Sequence, residues 1–156
     1  ICRKANVQAQ KFGYMNYNNL IVEMTETKAA DAKLQTYQQQ LANAFETKAK
    51  AFQEEFIKAQ TIVQEGGKSP KEVQAMEAEF EQKRQALAKE EQELQQKILA
   101  KREELYGPVF EKVNQAVQAV GKEGGYIFIF NESTGLLLYD APADDVTPLV
   151  KAKLGM

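Results

Sequence analysis

Few residues in this chain have the types and spacing that chemistry requires. Gly67-Lys68-Ser69 has the ending of a phosphate-binding loop, in which backbone amides and a lysine surround phosphate oxygens. The earlier glycine of that motif falls on Ile62, and no strand-like segment precedes it. The segment reads instead as a turn between two helices, with Gly66-Gly67 reversing the chain and Ser69-Pro70 starting a helix. Adjacent carboxylates occur at Glu54-Glu55, Glu90-Glu91, Glu103-Glu104 and Asp144-Asp145. Acid–base work needs a buried pocket that pushes two such pKa values apart, and these pairs read as solvated helix faces. Histidine is absent and Cys2 is the single cysteine, so common zinc sites, histidine-assisted nucleophiles and an internal disulfide have no material. The expectation is a protein without enzymatic activity, bound metal or cofactor.

The elements that carry these residues are unusually long. Residues 14–65 and 71–106 are free of glycine and proline and meet at Glu65-Gly66-Gly67-Lys68-Ser69-Pro70, which describes a helical hairpin with one tip. Over residues 28–64 the apolar positions Leu34, Tyr37, Leu41, Phe45, Ala49, Phe52, Phe56, Ala59 and Val63 advance by three and four, which is one helical face. Ser69 can cap the return helix, Pro70 suits its first position and Glu72 completes a capping box. On that helix Val73, Phe80, Leu87 and Leu94 repeat every seven residues, but Lys83 and Glu90 fall where a companion stripe would want apolar groups. The seam is therefore expected to be thin and partly wet. The stripe then shifts phase through Ile98 and Leu105 to Val109, Val113, Val117 and Val120, with a kink expected at Gly107-Pro108. Each arm of about 1.5 Å rise per residue would extend roughly 55 Å, so the hairpin should project or meet copies of itself.

Strand-like segments flank the hairpin. Residues 12–17 favour a strand, with Asn18-Asn19 starting a short helix around Leu20-Ile21-Val22. Residues 121–125 end the long helix, and Tyr126-Ile127-Phe128-Ile129-Phe130 and Leu136-Leu137-Leu138-Tyr139 predict a β-hairpin around residues 131–135. Strands apolar on both faces are normally covered on both, and one chain has too little other apolar material, so a partner subunit is the economical cover. A last helix is expected from Thr147 as cap, through Pro148, to Leu154, with Gly155 stopping it. The fold class is α+β: a long antiparallel α-helical coiled-coil hairpin rooted in a small sheet body formed by N- and C-terminal strands. Its expected parts are a body of residues 11–27 and 107–156 and an arm of residues 28–106 with its tip near 65–70.

Charged residues make up 27% of the 156, and the net charge of −2 removes the simplest electrostatic case for nucleic acid or anionic lipid. Lys83-Arg84, Lys89, Lys97 and Lys101-Arg102 make the second arm locally basic, but the balancing acidic residues make a solvated coiled-coil surface the plainer reading. No run of about 20 apolar residues is present to span a bilayer. Val7-Gln8-Ala9 is spaced as at a signal-peptidase site, so residues 1–10 read as a truncated export signal, a cloning remnant or a disordered leader; Ile1-Cys2-Arg3-Lys4 is not an apolar signal core. Phe45, Phe52, Phe56, Met76 and Phe80 read either as the hairpin's own seam or as a weak, adaptable apolar lining for varied partners.

The order of strand, long hairpin and terminal strands resembles the Skp/OmpH family of periplasmic chaperones for outer-membrane proteins. The telling stretches are Phe12-Gly13-Tyr14-Met15-Asn16, Lys28-Ala29-Ala30-Asp31-Ala32-Lys33-Leu34, and Gly125-Tyr126-Ile127-Phe128 with Tyr139 and Asp144-Asp145-Val146-Thr147. The resemblance implies a periplasmic homotrimer whose arms hold unfolded outer-membrane proteins without ATP. On that reading Phe45, Phe52, Phe56, Met76 and Phe80 would line the client surface, and Phe12, Tyr14, Tyr126, Phe128, Phe130, Leu136 and Leu138 would form the trimer interface. Enteric members are basic and this chain is mildly acidic, so contact with membrane or lipopolysaccharide is not carried over. A structural coiled-coil adaptor or spacer is the alternative. A prefoldin-like architecture would have helices at the chain ends and strands between them, the inverse of the order here.

Overall fold

The structure, a computed structural model, describes residues 10–156; Cys2 and all but the last residue of the expected leader lie outside the described residues. Strand β1 (Lys11–Met15) leads into helix α1 (Tyr17–Glu23), then come the long helices α2 (Thr25–Gln64) and α3 (Pro70–Gly124), strand β2 (Tyr126–Asn131) and helix α4 (Thr147–Leu154). Two short 3-10 turns, Glu132–Thr134 and Pro142–Asp144, lie between β2 and α4. The chain divides into two compact units: one is Ala32–Glu103, and the other joins the described part of Ile1–Asp31 to Glu104–Met156.

In the terminal unit, β1 and β2 pair in parallel, with Phe12 opposite Phe128, Gly13 opposite Ile129 and Tyr14 opposite Phe130. Parallel strands need a long crossover, and here everything from α1 to α3 supplies it. On its other side β1 makes a single bridge, Tyr14 with Asp145, and the Val146 N–H donates to the Tyr14 carbonyl at 2.9 Å. Alternation along the strands sends Met15 and Ile129 inward. There they meet Leu20, Ile21 and Met24, the α3 stripe Val109, Val113, Ala116 and Val120, and Val146 and Val150 from the C-terminal end. Gly13 is a packing requirement, because a Cβ there would stand 2.8 Å from Val146 Cγ1.

The ends of the elements differ from the sequence expectation in instructive ways. Helix α1 starts at Tyr17, not at Asn18-Asn19: Asn16 is the cap, its Oδ1 accepting from the Asn19 N–H at 2.9 Å. Helix α2 begins at Thr25 rather than Lys28. By contrast, α3 contains Pro108 and runs to Gly124, inside the residues 121–125 expected to end it. Helix α4 begins at Thr147 itself, with Val146 in the cap position and no side-chain cap bond; Asp145 Oδ1, one residue earlier, accepts from the Thr147 N–H at 2.8 Å.

The expected β-hairpin of residues 126–139 does not form. β2 ends at Asn131, the chain turns through Glu132–Thr134, and residues 136–139 belong to no strand. The physical reason is a polar clamp. Asn131 Oδ1 accepts from the Ser133 N–H at 3.1 Å and the Tyr17 N–H at 3.3 Å, Asn16 Nδ2 donates to Glu132 Oε1 at 2.6 Å, and Ser133 Oγ donates to Asn16 Oδ1 at 2.9 Å. These bonds fix a tight turn, finished by a left-handed Gly135 with φ 69°, instead of a loop that returns along β2.

The second unit is a two-helix hairpin. Its helices run antiparallel, as the pairings of Tyr37 with Lys101, Lys48 with Glu90 and Glu55 with Lys83 require. The turn follows the expected chemistry: Ser69 Oγ accepts from the Glu72 N–H at 3.4 Å, while Glu72 Oε2 accepts from the Ser69 N–H at 2.8 Å. The Gly66 and Gly67 N–H groups donate back to the carbonyls of Val63 and Ile62, both at 3.1 Å. No residue of 32–103 is fully buried; its apolar stripe is half-covered throughout.

Candidate functional site: two exposed apolar surfaces

The phosphate-loop reading is settled first by what Lys68 and Ser69 do. Lys68 Nζ lies 3.2 Å from Glu72 Oε1, and Ser69 is the helix cap, so both side chains serve the turn. Those bonds from Ser69, with Lys68 beside it, hold the Glu72 carboxyl down at about 2. Among the described residues no group of histidine, cysteine, aspartate and glutamate could hold a metal ion, and no helix is long and apolar enough to cross a membrane.

The first apolar surface lies near the turn of the hairpin unit. Phe52 and Phe56 sit one helical turn apart on α2 and meet Phe80 of α3 edge-on, with ring centroids 5.8 and 5.3 Å away. Between this cluster and the turn the seam opens into a groove of about 320 Å³, whose apolar lining is Phe56, Ala59, Val63, Val73, Met76 and Phe80. Of the five residues expected to line a client surface, Phe56, Met76 and Phe80 line this groove, Phe52 joins the ring cluster beside it, and Phe45 is half-buried farther along α2 and takes part in neither. Gln60, Gln64 and Glu77 complete the lining and were not foreseen, although Glu77 directly follows Met76 in the stripe.

Farther from the turn, the polar residues in the seam are paired across it. Lys83 Nζ reaches Glu55 at 2.7 Å and Glu79 at 3.0 Å, and these two bonds, Glu55 first, raise its pKa. Lys48 reaches Glu90 at 2.5 Å. The lysine and glutamate that interrupt the heptad stripe are therefore accommodated as ion pairs on a half-wet seam.

The second surface is the open face of the sheet in the terminal unit. Phe12 and Phe128 stack with centroids 6.1 Å apart and planes at 1°, and Phe130 stands 6.4 Å from Phe12 and 6.0 Å from Phe128. Phe128 remains 58% exposed, and Phe12 and Phe130 43% each. Leu136 and Leu138, after the turn, are 83% and 99% exposed, so the segment expected to pair as a strand lies open. Tyr14 is half-buried on the same face; desolvation, followed by Asp140, Asp145, Glu132 and Asp144, raises its phenol. Tyr126 is placed differently, packed against the unit's own core with the Lys11 ammonium 4.1 Å above its ring.

This fold is shared with a crystal structure of a proposed outer membrane chaperone, OmpH-like, from Caulobacter crescentus CB15. The two chains are 18% identical with a TM-score of 0.78 over 99% of this chain and 89% of that one. No curated protein matches the chain. The family model described as outer membrane protein (OmpH-like) matches residues 11–154, and the chain belongs to that OmpH-like family.

Proposed function

We propose that the protein is an ATP-independent periplasmic holdase that binds unfolded outer-membrane proteins and keeps them from aggregating, and that it works as a homotrimer. The observation that carries this reading is the pairing of two unpartnered apolar surfaces on one chain. The Phe12, Phe128 and Phe130 face with Leu136 and Leu138 suits association of copies, since a contiguous aromatic patch left in water is costly. The half-covered hairpin suits many weak contacts with an unfolded chain. Burial of apolar area is worth about 25 cal/mol per Å², so modest contacts repeated over several arms hold a client without any one being tight. Release then follows the client's own folding, and no nucleotide is consumed. Body and arm divide the work, residues 11–27 and 107–156 associating and residues 28–106 holding. A net charge of −2 gives an anionic lipid surface no long-range attraction to this chain.

Two measurements test the proposal. Light scattering of a refolding β-barrel membrane protein should fall when the protein is added at trimer excess; unaltered aggregation sinks the holdase reading. Sedimentation should give a trimer at micromolar concentration, and Phe128→Asp should reduce it to monomers that keep their helical content. A wild-type monomer would remove the assembly and leave the aromatic face unexplained. If aggregation is unaltered yet trimers form, the protein is a spacer.

A further inference from the structure

We propose that the groove near the hairpin turn binds an extended peptide segment in which a large apolar side chain is followed by lysine or arginine. This rests on the chaperone reading and names the sequence feature that one site on the hairpin prefers. At about 320 Å³ the groove is at the small end of ligand sites, which run from roughly 300 to 1,000 Å³. It has room for one large side chain, and not for folded structure. Its lining combines the rings of Phe56 and Phe80 with the thioether of Met76, partners that favour an aromatic ring. The Gln60 and Gln64 amides in its lining carry both donors and acceptors, which suits the unpaired backbone of an extended chain.

Charge decides what stands beside that ring. Glu77 is the single charged side chain in the lining, and it has no ion pair among the described residues. Along the same stretch Glu55, Glu72, Glu79 and Glu81 each hold a lysine or arginine. Of the cations along this stretch, Lys68 and Lys83 are held by those partners, and among the described residues Lys58 and Lys71 make no ion pair with Glu77. A cation brought by the occupant therefore meets a carboxylate that the hairpin leaves unneutralised, whereas an acidic neighbour meets like charge.

Fluorescence anisotropy with three labelled peptides, identical except that a phenylalanine is followed by lysine, glutamine or glutamate, tests this on the full chain. The lysine peptide should bind about threefold tighter than the glutamate peptide, the size of a rim charge contact, and Glu77→Lys should reverse the order. Ala59→Leu, which fills the groove, should weaken all three peptides equally. Equal binding of the three to the wild-type protein, or an order that Glu77→Lys leaves intact, overturns the inference. Suppression of β-barrel aggregation, measured on the same preparations, separates the two readings. If suppression persists without a peptide order, the groove preference alone is wrong; if the wild-type protein does not suppress aggregation, the chaperone reading has failed.

Discussion

The two units of this chain share the helices α2 and α3 and are stabilised by different means. In the terminal unit Leu20, Val113, Val146 and Val150 are wholly enclosed, and α3 turns a continuous stripe of valine and alanine toward them. In the hairpin unit the same helix carries its stripe with Lys83 and Glu90 interrupting it, and no side chain is fully covered. A core of wholly buried, interlocking side chains specifies one arrangement. A half-wet seam between long helices relies on helix formation, ion pairs and a few aromatic contacts, so it opens at lower free energy. The difference assigns rigidity to the unit with the exposed aromatic face and adaptability to the unit with the groove.

The comparison breaks if both units respond alike to loss of a large apolar side chain. Leu20→Ala should cost about 2–5 kcal/mol, the range for emptying a closed site, read as a fall in the urea midpoint of the whole molecule. Phe80→Ala should cost less, about 1–2 kcal/mol, because its ring is half-exposed and its main contacts are Phe52 and Phe56. Amide exchange should accelerate within residues 32–103 and stay slow in β1 and β2. Equal losses from the two substitutions, or faster exchange throughout, would mean that the hairpin shares the core's cooperativity.

At the turn, Ser69→Ala should cost about 1 kcal/mol by removing the cap, with faster exchange confined to the amides that follow Pro70. The same device predicts a pH response. Glu72 titrates at about 2 in the folded protein, below its ordinary value of 4.5. A carboxyl lowered by folding adds stability that is complete above its unfolded pKa and lost as pH falls through the folded one. The turn should therefore loosen between about pH 4.5 and 2, and Glu72→Gln should remove that response.

How much of this was legible in the sequence follows from how local each feature is. The hairpin is written in short-range terms: the three-and-four spacing from Leu34 to Val63, the glycines at the turn, and Ser69, Pro70 and Glu72 at the helix start. Such signals are complete within a few residues, and the structure reproduces them. The sheet was less legible because its pairing is not local. Leu136-Leu137-Leu138-Tyr139 has the composition of a strand, yet the turn before it is set by Asn16, a residue more than a hundred positions away. The ring cluster was half legible: Phe52 and Phe56 share a face by spacing, but which residue of α3 meets them depends on the register of the two helices. Phe45 stands farther from the turn because it lies about two helical turns before Phe52 on the same helix. Glu77 gave a local signal only in hindsight, as a carboxylate beside a stripe residue.

The smallest predicted effect sharpens the comparison most, because it makes the hairpin resemble the core. Glu90 is half-buried in the seam and paired with a largely exposed Lys48. Glu90→Leu gives up an ion pair of the exposed kind, worth about 0.2–1 kcal/mol, and leaves Lys48 free to be hydrated. In exchange it restores an apolar group to the stripe, and half-covering a leucine contributes about 1 kcal/mol. The net gain should be below about 1 kcal/mol, enough to slow amide exchange in the hairpin up to about fivefold while leaving that of β1 and β2 unchanged. If the seam is kept wet so that it can yield to a client, the stiffer variant should also suppress aggregation less well than the wild-type protein. Better suppression by Glu90→Leu would show that the hairpin works as a rigid surface, and the division of labour between the units would have to be abandoned.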